Sequence, residues 1–187
     1  MFLSFGFSVN QCVDTNDDKY KEGRVNPVVN KEISFRNSLI ISVSPGILGL
    51  FLSAFFGLRV FLFCLAGTAI SFFYSAPPLR FKGRPIADLI SHGFFAGVFW
   101  FFLPLLIFRA ELGPIHYLIG FSIFYFSIIL ELRNHSEDYE TDKKAGLKTF
   151  VCFFGQKFSE RFLRVLTVLF PFTLLPIFLL IFPKSLL

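Results

Sequence analysis

The stretch LISHGFFAGVFWFFLPLLIF, from Leu89 to Phe108, runs its whole length without an Asp, Glu, Lys or Arg. A helix of about 20 such residues, rising roughly 1.5 Å per residue, crosses the hydrocarbon core of a bilayer. Four more stretches read the same way: Asn37–Leu58, Val60–Leu79, Leu112–Leu130 and Val165–Pro183. Met1–Val13 is also uncharged, yet it reaches only about two-thirds of the way across and reads as the end of a longer helix. No basic segment precedes Phe2–Val9, so a secretory signal is not expected.

The composition agrees. Hydrophobic residues make up 54% of the 187, 30 of them Phe, and the mean hydropathy is +0.64, above the usual range of soluble domains. The expected fold is an all-α, polytopic transmembrane helix bundle with about five full spans and the tail of a sixth. Pro45, Pro104, Pro171 and Pro176 fall inside spans, where kinks are tolerated. Cys12, Cys64 and Cys152 have neither disulfide nor metal-ligand spacing and read as packing residues.

Charge gathers in the blocks Asp14–Arg36, Arg80–Asp88 and Glu131–Arg164, which share one face if each apolar stretch crosses once. Of the 18 basic residues only Arg59, Arg109 and Lys184 lie opposite, which makes the charged face cytoplasmic by the positive-inside rule. The expected localisation is an integral, multi-pass membrane protein with acidic loops on the cytoplasmic side. The formal charge of +5 is then a matter of topology, and with no basic, aromatic-interleaved face, nucleic acid is not an expected partner.

Two acidic combs stand out on the charged face. Asn10, Asp14 and Asp18 follow one another at i, i+4, i+8, and Asp138 and Asp142 repeat the spacing at the end of another apolar stretch. On a helix this aligns oxygen ligands along one side, where like charges repel unless a cation neutralises them. Oxygen-only ligands suit Mg²⁺ better than Zn²⁺, and Mg²⁺ implies a phosphate-bearing ligand. Between the combs lies Tyr74-Ser-Ala-Pro-Pro-Leu-Arg80-Phe-Lys82-Gly-Arg84-Pro85, a Pro-stiffened turn whose cations can meet phosphate oxygens.

These residues resemble the UbiA superfamily of intramembrane prenyltransferases, whose signatures N-x₃-D-x₃-D and D-x₃-D-x₃-G both occur here in order. The resemblance includes the Tyr74–Lys82 turn and the run from Asp138 through Gly146 to Thr149. It departs at Gln11, at Asn26-Pro27 and in the tyrosine-to-lysine spacing. It implies that Asn10, Asp14, Asp18, Asp138 and Asp142 hold Mg²⁺ and diphosphate, with Tyr74, Arg80, Lys82 and Lys148 assisting on the diphosphate. The implied partners are a prenyl diphosphate, a hydrophobic acceptor and membrane lipid. The acceptor is left open between an aromatic precursor, a carotenoid-like chain and a glycerol ether lipid, and the oligomeric state is unassigned. The implied reaction ionises the allylic C–O bond and passes the carbocation to the acceptor. The resemblance further implies a nine-helix bundle of which residues 1–187 form a single domain lacking the first helix, most of the second and C-terminal helices.

Two other readings compete. A cation transporter requires carboxylates within the spans, and the uncharged stretches hold none. A catalytically incomplete remnant follows from the missing helices. Elsewhere the bland reading prevails. Glu22, Glu32, Glu137, Glu140 and Glu160 read as solvated and Trp100 as a packing or lipid-facing residue. Asp88 and His92, four apart at the start of a span, could pair with each other and read as helix-end or interfacial residues, and His135 lies beside the second comb with nothing to position it as an acceptor-side base.

Overall fold

The computed structural model describes residues 1–15 and 26–182. Among them every regular element is helical: α1 (Phe2–Val13), α2 (Phe35–Ala54), α3 (Leu58–Ser75), a 3-10 turn (Phe81–Gly83), α4 (Pro85–His92), a π-helical turn (Gly93–Val98), α5 (Phe99–Ile107), α6 (Pro114–Glu137), α7 (Tyr139–Lys144), α8 (Phe150–Phe154) and α9 (Gln156–Ile181). With α4, the π turn and α5 continuous over Pro85–Ile107, five helices are long and apolar enough to cross a bilayer.

The count agrees with the sequence reading, but the ends do not coincide with the ends of the apolar runs. The third span starts at Pro85, whose missing N–H costs nothing at the first helical position, and so it includes Asp88. Likewise α6 starts at Pro114 and continues past Leu130 to Glu137, taking in Glu131 and His135. Ser34 caps α2 by accepting from Asn37 N at 3.2 Å. Gly57, at φ 103, makes the tight link from α2 to α3.

Lipid supplies no hydrophobic drive between apolar helices, so close packing and interhelical hydrogen bonds must hold them. Helix α1 lies against α2 and α3, and α9 lies along α6. Phe99 is fully buried beside Val60 and Cys64, and its ring stacks on Phe63 at 5.3 Å and meets Trp100 edge-on at 5.1 Å. A second cluster, Leu89, Leu132, Phe150 and Val151, joins α4, α6 and α8. Tyr125 Oη donates to Leu166 O at 3.0 Å and Ser122 Oγ to Thr173 O at 3.2 Å, tying α6 to α9. Large apolar side chains such as Phe7, Phe51, Phe121 and Phe172 point outward, as lipid-facing residues do.

Gly67 is what admits the Phe99 ring: a Cβ there would meet a ring carbon at 2.4 Å. Gly67→Ala should therefore destabilise the bundle by about 1–3 kcal/mol. Thermal unfolding in detergent, followed through Trp100 fluorescence, checks this. Gly83→Ala, with nothing within 4 Å of the added methyl, should leave the midpoint unchanged.

Candidate active site

The first comb begins where α1 ends. Val9 and Cys12 fix the helix by their burial, and Asn10 Nδ2 donates to Ser75 Oγ at 2.8 Å, joining α1 to the last residue of α3. Asp14 closes α1, its N–H on Asn10 O at 2.9 Å, so the two side chains lie one turn apart. Asp14 is buried, and its Oδ2 forms an ion pair with Lys82 Nζ. Asn26 stands where the sequence departs from the family pattern, and it has a structural task. It is buried, with Nδ2 donating to Gln11 O at 2.8 Å and Oδ1 accepting from Val28 N at 3.0 Å. One C-terminal carbonyl of α1 is satisfied in this way. Asp18 lies outside the described residues.

The cationic turn is shaped by Arg80, whose left-handed backbone (φ 40) leads into the 3-10 turn. This carries Lys82 inward to Asp14, while Arg80 is half-buried and Arg84 exposed. Tyr74 goes elsewhere: its hydroxyl donates to Glu131 Oε1 at 2.9 Å.

At the second comb α6 stops at Glu137 and α7 begins at Tyr139, yet Asp142 N still donates to Asp138 O at 2.9 Å, which preserves the four-residue register. Asp142 is buried and Asp138 half-buried. The glycine of the motif now has a reason. Gly146 takes φ 71, its N–H donates to Lys143 O at 3.2 Å, and Leu147 N donates to Asp142 O at 2.9 Å. That is a Schellman closure of α7, which caps the backbone carbonyl of the acidic residue itself. Lys148 is exposed beyond it.

Next to the combs is a polar cluster that the sequence reading did not assemble. Asp88 pairs with His135, Nε2 to Oδ2 at 3.0 Å, instead of with His92. His92 Nε2 lies 3.2 Å from Glu131 Oε2, which also accepts from Asn134 Nδ2 at 3.1 Å. The i, i+4 spacing of Asp88 and His92 misled because both turn toward α6, whose own Glu131 and His135 sit four apart on the facing side. The usable signal was two His–carboxylate pairs at i, i+4, at the same depth in neighbouring spans.

These contacts order the charged end of the bundle. Asn10 meets the end of α3, Lys82 follows α3 and meets Asp14, and Asp88 in the first turn of α4 meets His135, one turn before Asp138. Oxygen donors, a buried ammonium and a half-buried guanidinium thus lie at one end. A cavity of about 540 Å³ lies at the opposite end, between Arg59, Arg109 and Glu111.

The UbiA prenyltransferase family model matches residues 1–187. The chain belongs to the UbiA prenyltransferase family. Similar solved structures are those of a UbiA homologue from Archaeoglobus fulgidus. The form bound to DMAPP and Mg²⁺ is 30% identical, with a TM-score of 0.85 over 98% of this chain and 65% of that one. The form bound to GPP and Mg²⁺ is 29% identical, also at 0.85, over 98% of this chain and 64% of that one. Curated relatives include the chloroplastic 2-acyl-4-prenylphloroglucinol 6-prenyltransferase of Humulus lupulus, 27% identical over 80% of this chain and 38% of that protein. Another is the lycopene elongase/hydratase of Haloarcula japonica, 28% identical over 81% of this chain and 50% of that protein. The chain thus spans half or less of the curated relatives and just under two-thirds of the solved one.

In this UbiA chain the Schellman glycine is directly testable. No atom lies within 4 Å of a Cβ added at Gly146, so Gly146→Ala should cost only the backbone strain of its left-handed conformation, roughly 1 kcal/mol. Gly146→Asn should cost less. Thermal unfolding of both variants in detergent checks the order.

Proposed function

We propose that this chain transfers a prenyl group from a prenyl diphosphate to a hydrophobic acceptor within the membrane, with Mg²⁺ at the acidic combs. The observation that carries the reading is the Asp14–Lys82 pair: a buried comb carboxylate already balanced by a cation, at the end of the bundle that also bears Asp138 and Asp142. The solved homologue bound to DMAPP or GPP with Mg²⁺ supports the same substrate class.

The donors fit the ion. Asn10, Asp14, Asp138 and Asp142 offer oxygen alone, which suits Mg²⁺, and Asp14 sits where burial demands a positive partner. Asp18 extends the same comb in sequence. When bound, Mg²⁺ would neutralise charge developing on the departing diphosphate. Lys82, with Arg80, would hold further positive charge beside the first comb, and Lys148 beside the second. In the reaction the allylic C–O bond breaks, diphosphate leaves with the electron pair, the acceptor's nucleophilic atom bonds to the allylic carbon, and a proton departs from the acceptor. The apolar spans would exclude water from the cation. In this reading the charged end is the cytoplasmic one, with 15 of the 18 basic residues on its side.

Purified chain in lipid nanodiscs, incubated with radiolabelled geranyl diphosphate, Mg²⁺ and a panel of aromatic and isoprenoid acceptors, tests the proposal. Labelled, phosphate-free lipid product is expected, with none in EDTA. Asp14→Asn and Asp138→Asn should each lower turnover by at least about a hundredfold, on the scale of losing a transition-state charge contact, while the protein still inserts and unfolds cooperatively. Near-normal turnover in either variant defeats the assignment.

A further inference from the structure

Asp88, Glu131 and His135 are buried where α4 faces α6, and one ligand atom from each lies within 4.8 Å of the other two. His135 Nε2 is 3.0 Å from Asp88 Oδ2 and 3.4 Å from Glu131 Oε1. A single imidazole nitrogen carries at most one proton, so it cannot serve both carboxylates with a full hydrogen bond. The same separations are the edge lengths of a coordination shell: metal–ligand bonds near 2.0–2.2 Å place neighbouring ligand atoms about 3–3.5 Å apart. Asp88 Oδ1 is buried without a hydrogen-bond partner among the described residues.

Two buried carboxylates need two positive charges close by, since an uncompensated ion in a low-dielectric interior is strongly destabilising. A divalent ion meets that need without protonating either histidine. The outer contacts are those that hold a ligand carboxylate in place: Tyr74 Oη and Asn134 Nδ2 donate to Glu131 at 2.9 and 3.1 Å, and His92 Nε2 lies 3.2 Å from its Oε2.

We propose that Asp88, Glu131 and His135 form a binding site for a divalent first-row transition metal ion, Zn²⁺ or Mn²⁺, separate from the acidic combs. The imidazole donor sets it apart from the oxygen-only combs and shifts its preference away from Mg²⁺. Bound there, the ion pins the start of α4 to the end of α6, one turn before Asp138. The proposal does not depend on prenyl transfer.

The test uses tag-free chain in detergent carrying Asp14→Asn and Asp138→Asn, which takes one carboxylate from each comb and weakens both as competing sites. After loading with Zn²⁺ or Mn²⁺ and exhaustive dialysis, elemental analysis should find about one ion per chain, and the ion should raise the unfolding midpoint. Adding Asp88→Asn or His135→Gln should weaken binding at least about tenfold. Should those variants not fold, pulsed electron paramagnetic resonance of the Mn²⁺-loaded double variant should detect a coordinated imidazole nitrogen. No retained metal, retention unchanged by Asp88→Asn and His135→Gln, or Mn²⁺ without nitrogen coupling would each overturn the site.

Discussion

A peptide group left without a partner in hydrocarbon costs several kcal/mol, so each segment crossing the bilayer must satisfy its own backbone. That single requirement makes the spans helical and pushes backbone irregularity to their ends, where the first and last turns leave N–H and C=O groups unpaired. The acidic combs are built at these ends: Asp14 closes α1, and Asp138 lies between α6 and α7. The same ends are tidied by side chains, with Asn26 on Gln11 O and the Gly146 closure on Asp142 O.

Once the spans are helices, small residues decide how closely they approach. Gly46 takes the Phe5 ring, Gly67 the Phe99 ring, and Gly97 faces Ser127, where an added Cβ would come within 2.6 Å of its Oγ. The last contact lies in the π turn, whose extra residue per turn re-aims the helix between α4 and α5. Close approach in turn makes buried polar groups meet directly. Asn10 reaches Ser75, Lys82 reaches Asp14, and Asp88 reaches His135. Polar pairing therefore depends on glycine-mediated packing deeper in the bundle.

Lys82 has a special position among these pairs. As read from the sequence it belonged with Arg80 and Arg84 in a phosphate-binding turn, yet it is the most buried of the three and faces a comb carboxylate. An ammonium in that place offsets the charge of the buried carboxylate, which would be costly to leave uncompensated. Tyr74, three residues before Pro77, the turn's first proline, faces Glu131, so the turn divides its polar groups between two neighbouring centres.

The primary structure alone determined the helices long and apolar enough to cross a bilayer, their number and the four-residue spacing of the two acidic combs. Each of these follows from local chemistry: uninterrupted apolar runs such as Leu89–Phe108, and carboxylates spaced by one helical turn. Gly146 was visible as part of a motif, while its reason, a left-handed closure on Asp142, was not. Nor was the cluster of Asp88, Glu131 and His135, because the charges at the ends of apolar runs look like loop residues until Pro85 and the continuation of α6 draw them into helices. Partner choice was decided only in three dimensions. An i, i+4 pair on one helix gains little in contact energy, whereas the facing helix offers Asp88 and His92 the buried partners His135 and Glu131, and a carboxylate buried there without a partner is the costlier arrangement.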